Sequence, residues 1–471
     1  MDTMDGTTGC EGCRERNREI EQVRGEVERL RQQLEQLQKQ FEQQQQTTEA
    51  QQRAGNRQAA KFRRRKHVKN PQSPGRKKGT AATHRKTPMK VDREVDVPVG
   101  LCSECDLPAV DNVYHQQFQT DIPPVEPVTT QFNVPVGNCA RCGARIQGRH
   151  PDQTSDALGA AANQLGPRAH ALGFQLKHDF GMSVAKVSRF LLDNFRLSCA
   201  ASTFIRSAQR FVHKAEPSYD GLLDLLRGEH VVHADETGWR IGRVNAWLWV
   251  FSSPDVTIYR IDRSRGHEVP QMILGTDFEG VLISDGAATY DPLPYLSGRC
   301  VGHILARISK LKEARPEPSH LEFDWLSEIL QDAMHLGSRR FELTPTGYGR
   351  LLRKAERNLD QWIDSNEFHE DADIRRLAKH LKQHRHEWFM FLYDSAVPPT
   401  NNHAERMIRP AVILRKLCGC NKTDAGAVVH SVMASLLVSC RQQGKRFAEF
   451  ADRLFHMRDP TEISLAALRS G

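Results

Sequence analysis

The sequence predicts a multidomain α/β protein, on three observations. Short apolar runs rich in β-branched and aromatic residues, divided by glycine and Pro-Asp punctuation, sit in mid-chain from Val231 onward and read as strands. Charged stretches with apolar residues at helical spacing lie on either side of them. Upstream, composition changes abruptly from Gln-rich to basic to cysteine-bearing, which marks separate modules.

At 471 residues the chain can hold several domains, and its net charge of +8 favours a polyanionic partner such as nucleic acid. Eleven cysteines are an odd number in a large chain whose start, MDTMDGTTGCEGC, has no apolar signal region. A disulfide framework is not expected, and a reducing cytoplasm is. No stretch approaches the roughly 18 consecutive apolar residues of a membrane span, so no membrane partner is expected.

Residues 1–45 predict a coiled coil. Ile20, Val23, Val27, Leu30, Leu34, Leu37 and Phe41 recur at alternating steps of three and four, with Glu19 and Glu26 at g and Arg24 and Arg31 at e. That seam predicts a homodimer or higher oligomer. Cys10 and Cys13 precede it as a lone CxxC, read as a surface thiol pair.

Residues 46–95 form a basic linker that cannot bury enough apolar surface to fold alone. Arg63, Arg64 and Arg65 are its candidate DNA-phosphate contacts. Residues 96–150 carry Cys102-x-x-Cys105 and Cys139-x-x-Cys142. Paired knuckles in a cytosolic chain suit Zn²⁺ held by four thiolates in a zinc ribbon. Such a site is structural, because four thiolates leave no place for a reactive water. Alternating β pattern from Tyr114 to Val136 predicts a hairpin between the knuckles.

Residues 151–225 turn helical. Val184, Val187, Phe190 and Leu191 share one helix face, Arg196 to Cys199 make a turn, and Ser202 to Phe211 a second helix. This is helix-turn-helix-like, with Arg206 and Arg210 outward; a hairpin that merely supports the core fits the pattern equally.

In residues 226–309, a strand climbs from Val231 to end at Asp235, followed by runs Ala246 to Phe251 and Val256 to Ile261. The run from Gly280 to Asp285 ends in a second aspartate. Two such strands suggest a carboxylate pair at one edge of a sheet, the outline of a metal site. Glu236 should face away from Asp235, since adjacent strand residues alternate. His233 should share the face of Asp235, and Trp239 suits either a stacking or a core role. From 310 to 396 the chain reads as helical and charged, and residues 397–471 carry Glu405 on a helix capped by Asn402.

HADETGW, GVLISDG and NNHAERMIRP with ILRK after it, in that order, resemble the signatures of the insertion sequence 66 family of bacterial transposases. The resemblance implies a DDE enzyme with a ribonuclease-H-like mixed sheet core, interrupted by an α-helical insert and preceded by the coiled coil, zinc ribbon and helical DNA-binding region. It implies Asp235, Asp285 and Glu405 as catalytic ligands of two Mg²⁺ (or Mn²⁺) ions. It implies double-stranded DNA, transposon ends and target, as the partner, a nucleoid-associated location, and companion proteins from the same element. Arg406, Arg409, Arg415 and Lys416 follow Glu405 as candidate DNA contacts. Cys300-Val-Gly-His303 departs from the family's C-W-A-H at Val301 and Gly302, and Cys418 and Cys420 replace an aromatic-rich segment. Two other functions fit the same residues: an inactive end-binding regulator, and a two-metal nuclease that cuts without joining.

Overall fold

The structure, a computed structural model, describes residues 85–110, 113–315 and 320–457. The coiled-coil heptads, Cys10 and Cys13, and Arg63, Arg64 and Arg65 lie outside the described residues. The chain divides into two compact units, Met1–Pro123 and Pro124–Gly471.

In the first unit, the described residues hold one small turn around Cys102. The Cys102 N–H donates to the Leu107 carbonyl (2.8 Å), and its own carbonyl accepts the Asp106 N–H (3.0 Å). Asp106 takes a left-handed φ of 57° to close it.

The second unit opens with the same turn. The Cys139 N–H donates to the Ala144 carbonyl and its carbonyl accepts the Gly143 N–H, both at 2.8 Å, with Gly143 at φ 71°. Strands β1 (Val136–Asn138) and β2 (Arg145–Gln147) flank this turn as an antiparallel pair. The strand pattern expected from Tyr114 to Val136 does not form strands among the described residues before β1. Pro123, Pro124, Pro127 and Pro135 interrupt that segment and remove ladder donors, which overrides the alternation.

Four helices follow: α1 (Pro167–His178), α2 (Val184–Phe195), α3 (Ala201–Lys214) and α4 (Glu216–Arg227). Ser183 caps α2 by accepting the Lys186 N–H. Phe174, Val187, Leu191, Phe204, Phe211 and Leu222 from these helices are buried in one cluster with Val232, Ala234, Trp249 and Phe251 of the sheet. The helix-turn-helix-like pair therefore helps to cover the sheet, while Arg206 and Arg210 remain exposed on α3.

The sheet comprises β3 (Val231–Ile241), β4 (Val244–Ser252), β5 (Thr257–Asp262), β6 (Val281–Ser284) and β7 (Leu296–Arg299). Their order is β5-β4-β3-β6-β7. The first three form an antiparallel meander, and β6 and β7 add in parallel on its other side. A short helix, α5 (Glu268–Leu274), connects β5 to β6. Both faces are covered, which explains why β4 reads as a continuous apolar run. Trp249 and Phe251 face one cluster, Leu248 and Val250 the other.

Between β7 and residue 402 the described chain is helical: α6 (Val301–Glu313), α7 (Leu321–Ser338), α8 (Pro345–Asn366), α9 (Ala372–Gln383) and the single turn α10 (Met390–Tyr393). These helices pack around Trp362, Trp388, Phe323 and Leu377 and reach the sheet at Val281 and Ile283. Then come α11 (Asn402–Cys418), α12 (Asp424–Gln442) and α13 (Phe447–His456).

Helix α12 protects the open edge of β5. The N–H groups of Thr257, Tyr259 and Ile261 donate to the hydroxyls of Ser439, Ser435 and Ser431, at 3.0, 2.8 and 3.0 Å. Two residues of strand advance about as far as four of helix, so serines at every fourth position match alternate strand amides. An edge that would otherwise template a foreign strand is closed. Among the described residues no helix is long and apolar enough to cross a membrane.

Candidate active site

Asp235 is the fifth residue of β3, two beyond His233, where the pairing with β6 ends at Ile283. It is mid-strand, not terminal as expected, because β3 continues to Ile241 against β4 alone. The register Val231↔Val281 and His233↔Ile283, carried two residues further, sets Asp235 beside Asp285. The carboxylates feel each other. Burial first, then the charges of Glu236 and Asp285, push the Asp235 carboxyl up to about 7.

Asp285 leaves the sheet at a tight loop. Its Oδ1 accepts the Ala287 N–H (2.9 Å), and Gly286 takes φ 82°. Arg299 fixes this loop from below: its Nη1 donates to the Gly286 carbonyl (2.8 Å) and its Nε to Glu387 (2.7 Å), with Asp291 and His384 also in contact. A side chain at position 286 would lie 2.9 Å from that guanidinium, so glycine suits both the backbone and the space.

Glu405 stands in the first turn of α11, half exposed. Its helix begins one residue earlier than expected, with Asn401 rather than Asn402 at the N-cap position. Asn401 is fully buried and does not cap the helix with its side chain. Its Nδ2 donates to the Ala234 carbonyl (2.8 Å), and its Oδ1 meets His233 Nδ1 (3.0 Å). The start of α11 is thus pinned to the strand stretch that carries Asp235. Ala404, Ile408, Ala411 and Leu414 continue the contact, packing on Trp239, Leu248 and Val250. His403 adds to it through Nε2, which approaches the Ser252 hydroxyl (2.9 Å) and the Ser253 carbonyl (3.0 Å).

His303, near the start of α6, approaches Glu405. Its Nε2 is 3.6 Å from Glu405 Oε1. A hydrogen bond with Cys300, then the charges of Cys300, Asp285 and Glu405, raise its imidazole to about 9 against the opposing effect of burial. Among the described residues, Cys300, His303 and Glu405 are the one group of three potential ligands whose donor atoms lie within 4.8 Å of one another. The three acids themselves are not that close. Asp235 feels the charge of Asp285, and His303 feels the charges of both Asp285 and Glu405.

Glu236 faces the other way, as expected. Its carboxylate, 1% exposed, accepts from Arg265 (2.8 Å) and from the Tyr290 hydroxyl (2.7 Å). Trp239 is core: it stacks on His430 and donates Nε1–H to Asn421 (2.9 Å). Of the basic residues after Glu405, Arg406, Arg409 and Lys416 are exposed. Arg415 is half-buried and donates to the Gly238 carbonyl, bracing α11 on β3.

The sequence pattern did not single out Asn401 or Arg299 as parts of this site, and it marked Cys300 and His303 only through the altered C-W-A-H segment. The adjacent asparagines hid the first, since either fits a helix start. A search of curated proteins found no match. The family model described as "Transposase IS66 family" matches residues 163–429, which include Asp235, Asp285 and Glu405. That match covers more than half of the 471 residues, and the chain belongs to the IS66 family of transposases.

Proposed function

We propose that this transposase works by the DDE mechanism on a ribonuclease-H-like core, cutting DNA at transposon ends and joining the freed 3′-hydroxyl to target DNA. The observation that carries this is the pairing register of β3 and β6, which sets Asp235 beside Asp285, together with the Asn401 pin that ties the helix of Glu405 to the same strand. The mixed sheet, three antiparallel strands followed by two parallel ones, supports the fold assignment.

The acids fit divalent cations. Two adjacent carboxylates, neither ion-paired to lysine or arginine among the described residues, leave negative charge that burial makes costly. Carboxylate oxygens are the ligands Mg²⁺ and Mn²⁺ prefer, and Asp235, Asp285 and Glu405 would hold them. Ions held by these three acids would supply activation of the attacking oxygen and charge neutralisation at the scissile phosphate. Asp235 and Asp285 stand on and beside packed strands, so their geometry is set before DNA arrives. The charged His303 offers a donor to a phosphate oxygen at the same place. Arg406 and Arg409, one and four positions after Glu405, add positive charge along the exposed face of α11. Arg206 and Arg210 on α3 supply a second basic surface for the duplex.

The turns at Cys102 and Cys139 share one hydrogen-bond pattern. Backbone N–H groups directed at each first sulfur lower both thiols below the usual range, so each turn is suited to offer thiolates to Zn²⁺. Self-association through the N-terminal heptads completes the proposal.

The test is cleavage and joining of element-end DNA with Mg²⁺ or Mn²⁺. Asp235→Ala, Asp285→Ala and Glu405→Ala should each lose both steps and keep DNA binding. An alanine variant that joins at the wild-type rate would remove that residue from the assignment. Cutting without joining by the wild type would identify a nuclease instead.

A further inference from the structure

The site contains donors that magnesium does not need. Cys300 is the N-cap residue of α6 and His303 stands three residues on, so both belong to one helical turn. Cys300 is 1% exposed, and its Sγ accepts the Asn401 N–H at 3.1 Å. With Glu405 these residues place a sulfur, an imidazole nitrogen and a carboxylate oxygen within 4.8 Å of one another. Zinc binds such ligands at about 2.0–2.3 Å, which sets tetrahedral neighbours roughly 3.3–3.8 Å apart. His303 Nε2 and Glu405 Oε1 are already at 3.6 Å. Both side chains are about half exposed, 43% and 46%, and can rotate to close the remaining gap.

A thiolate, an imidazole and a carboxylate select zinc-like ions over magnesium, which takes oxygen ligands and keeps its waters. The Asn401 N–H on Cys300 Sγ is the kind of outer hydrogen bond that orients a metal-bound sulfur. The N-terminus of α6 favours the negative charge a bound thiolate carries.

We propose that Cys300, His303 and Glu405 form a site for a thiophilic divalent cation, Zn²⁺, and that its binding withdraws Glu405 from the acid set that holds Mg²⁺. On binding, Zn–S, Zn–N and Zn–O bonds replace three of the ion's bonds to water, the Cys300 thiol and the charged His303 imidazole each release a proton to solvent, and no redox change occurs. One coordination position remains open to water. Zinc binding here is independent of the DDE reading; the competition with Mg²⁺ rests on it.

The experiment is zinc titration of the full-length, metal-stripped chain against a chromogenic zinc chelator, with Co²⁺ as a spectroscopic substitute. Wild type should retain one more equivalent than Cys300→Ser, whose thiolate–cobalt charge-transfer absorption should fall correspondingly. Glu405→Gln removes a direct ligand and should weaken that same equivalent by at least the roughly 10–100-fold that loss of an outer-sphere partner costs. Cys300→His, which puts a nitrogen donor in place of the sulfur, should restore the stoichiometry while leaving the sulfur band lowered. Equal stoichiometry in wild type and Cys300→Ser, with both folded by circular dichroism, overturns the site. In parallel, zinc is added to Mg²⁺-dependent cleavage of end DNA, scored as a fraction of each variant's own rate. Fractional inhibition should be at least tenfold less sensitive in Cys300→Ser. An extra bound ion that leaves cleavage untouched overturns the competition. Wild type that never cleaves with Mg²⁺ sinks the DDE reading and leaves the stoichiometry to decide the zinc site.

Discussion

Replacing Asn401 with alanine tests how the site is assembled. Asn401 Nδ2 must face the Ala234 carbonyl, so Oδ1 faces His233, whose imidazole therefore carries its proton on Nδ1. Alanine orphans both the His233 N–H and the Ala234 carbonyl, in residues only 6% and 0% exposed. Each orphan costs about 1–3 kcal/mol, so the two together cost about 2–6 kcal/mol, a large part of the stability of most domains. Glu405 lies one helical turn beyond this pin, and its own N–H donates to the Asn401 carbonyl (3.2 Å). A displacement of about 1 Å at a reacting group can cost about 100-fold in rate. Urea denaturation and single-turnover cleavage, run where the variant is folded, should show both losses. Asn401→Asp should not rescue: it keeps the acceptor for His233 but sets an oxygen against the Ala234 carbonyl. An alanine variant within about 0.5 kcal/mol of wild type, cleaving at the wild-type rate, would refute the reasoning, because additive surface changes have that size.

Other consequences follow from the same packing. Ser435→Ala strands the Tyr259 N–H at the edge of β5 and should cost about 1–3 kcal/mol in urea denaturation, with faster hydrogen exchange at that amide. His170, buried and bonded to Ser207 (3.1 Å), is held down to about 4 by burial and then by Arg210. Its neutral form stabilises the fold fully above the unfolded value near 6.5, and that contribution is lost as pH falls toward 4. At pH 5 the loss is about 2 kcal/mol, so His170→Gln should flatten the fall in Tm between pH 7.5 and 5. Saturating Mg²⁺ should raise the Tm of the wild type, with about 2.7 kcal/mol expected at one hundred times Kd, and Asp285→Asn should abolish most of that shift.

Much of this was legible in the residues. The apolar runs at Val231, Ala246, Val256 and Val281 announced four of the five sheet strands, because buried strands need continuous apolar side chains. The alternation that put Glu236 away from Asp235 held for the same geometric reason. Where pattern failed, longer-range contacts decided. Prolines suppressed strands before Val136, and pairing with β4 carried β3 six residues past Asp235. The role of Asn401 depends on a bond to a strand 167 positions earlier, which no local signal encodes. The serines of α12 recur at every fourth position from Ser431 to Ser439 within an otherwise apolar helix. They become intelligible only against the β5 edge.

The most direct measurement is the anomalous diffraction of Mn²⁺ in crystals of the protein bound to element-end DNA. Two peaks roughly 3.5–4 Å apart are predicted, one or both shared by Asp235 and Asp285 and one reached by Glu405. Manganese held by the aspartates with Glu405 turned away from both ions, beside a correctly placed scissile phosphate, would contradict the account.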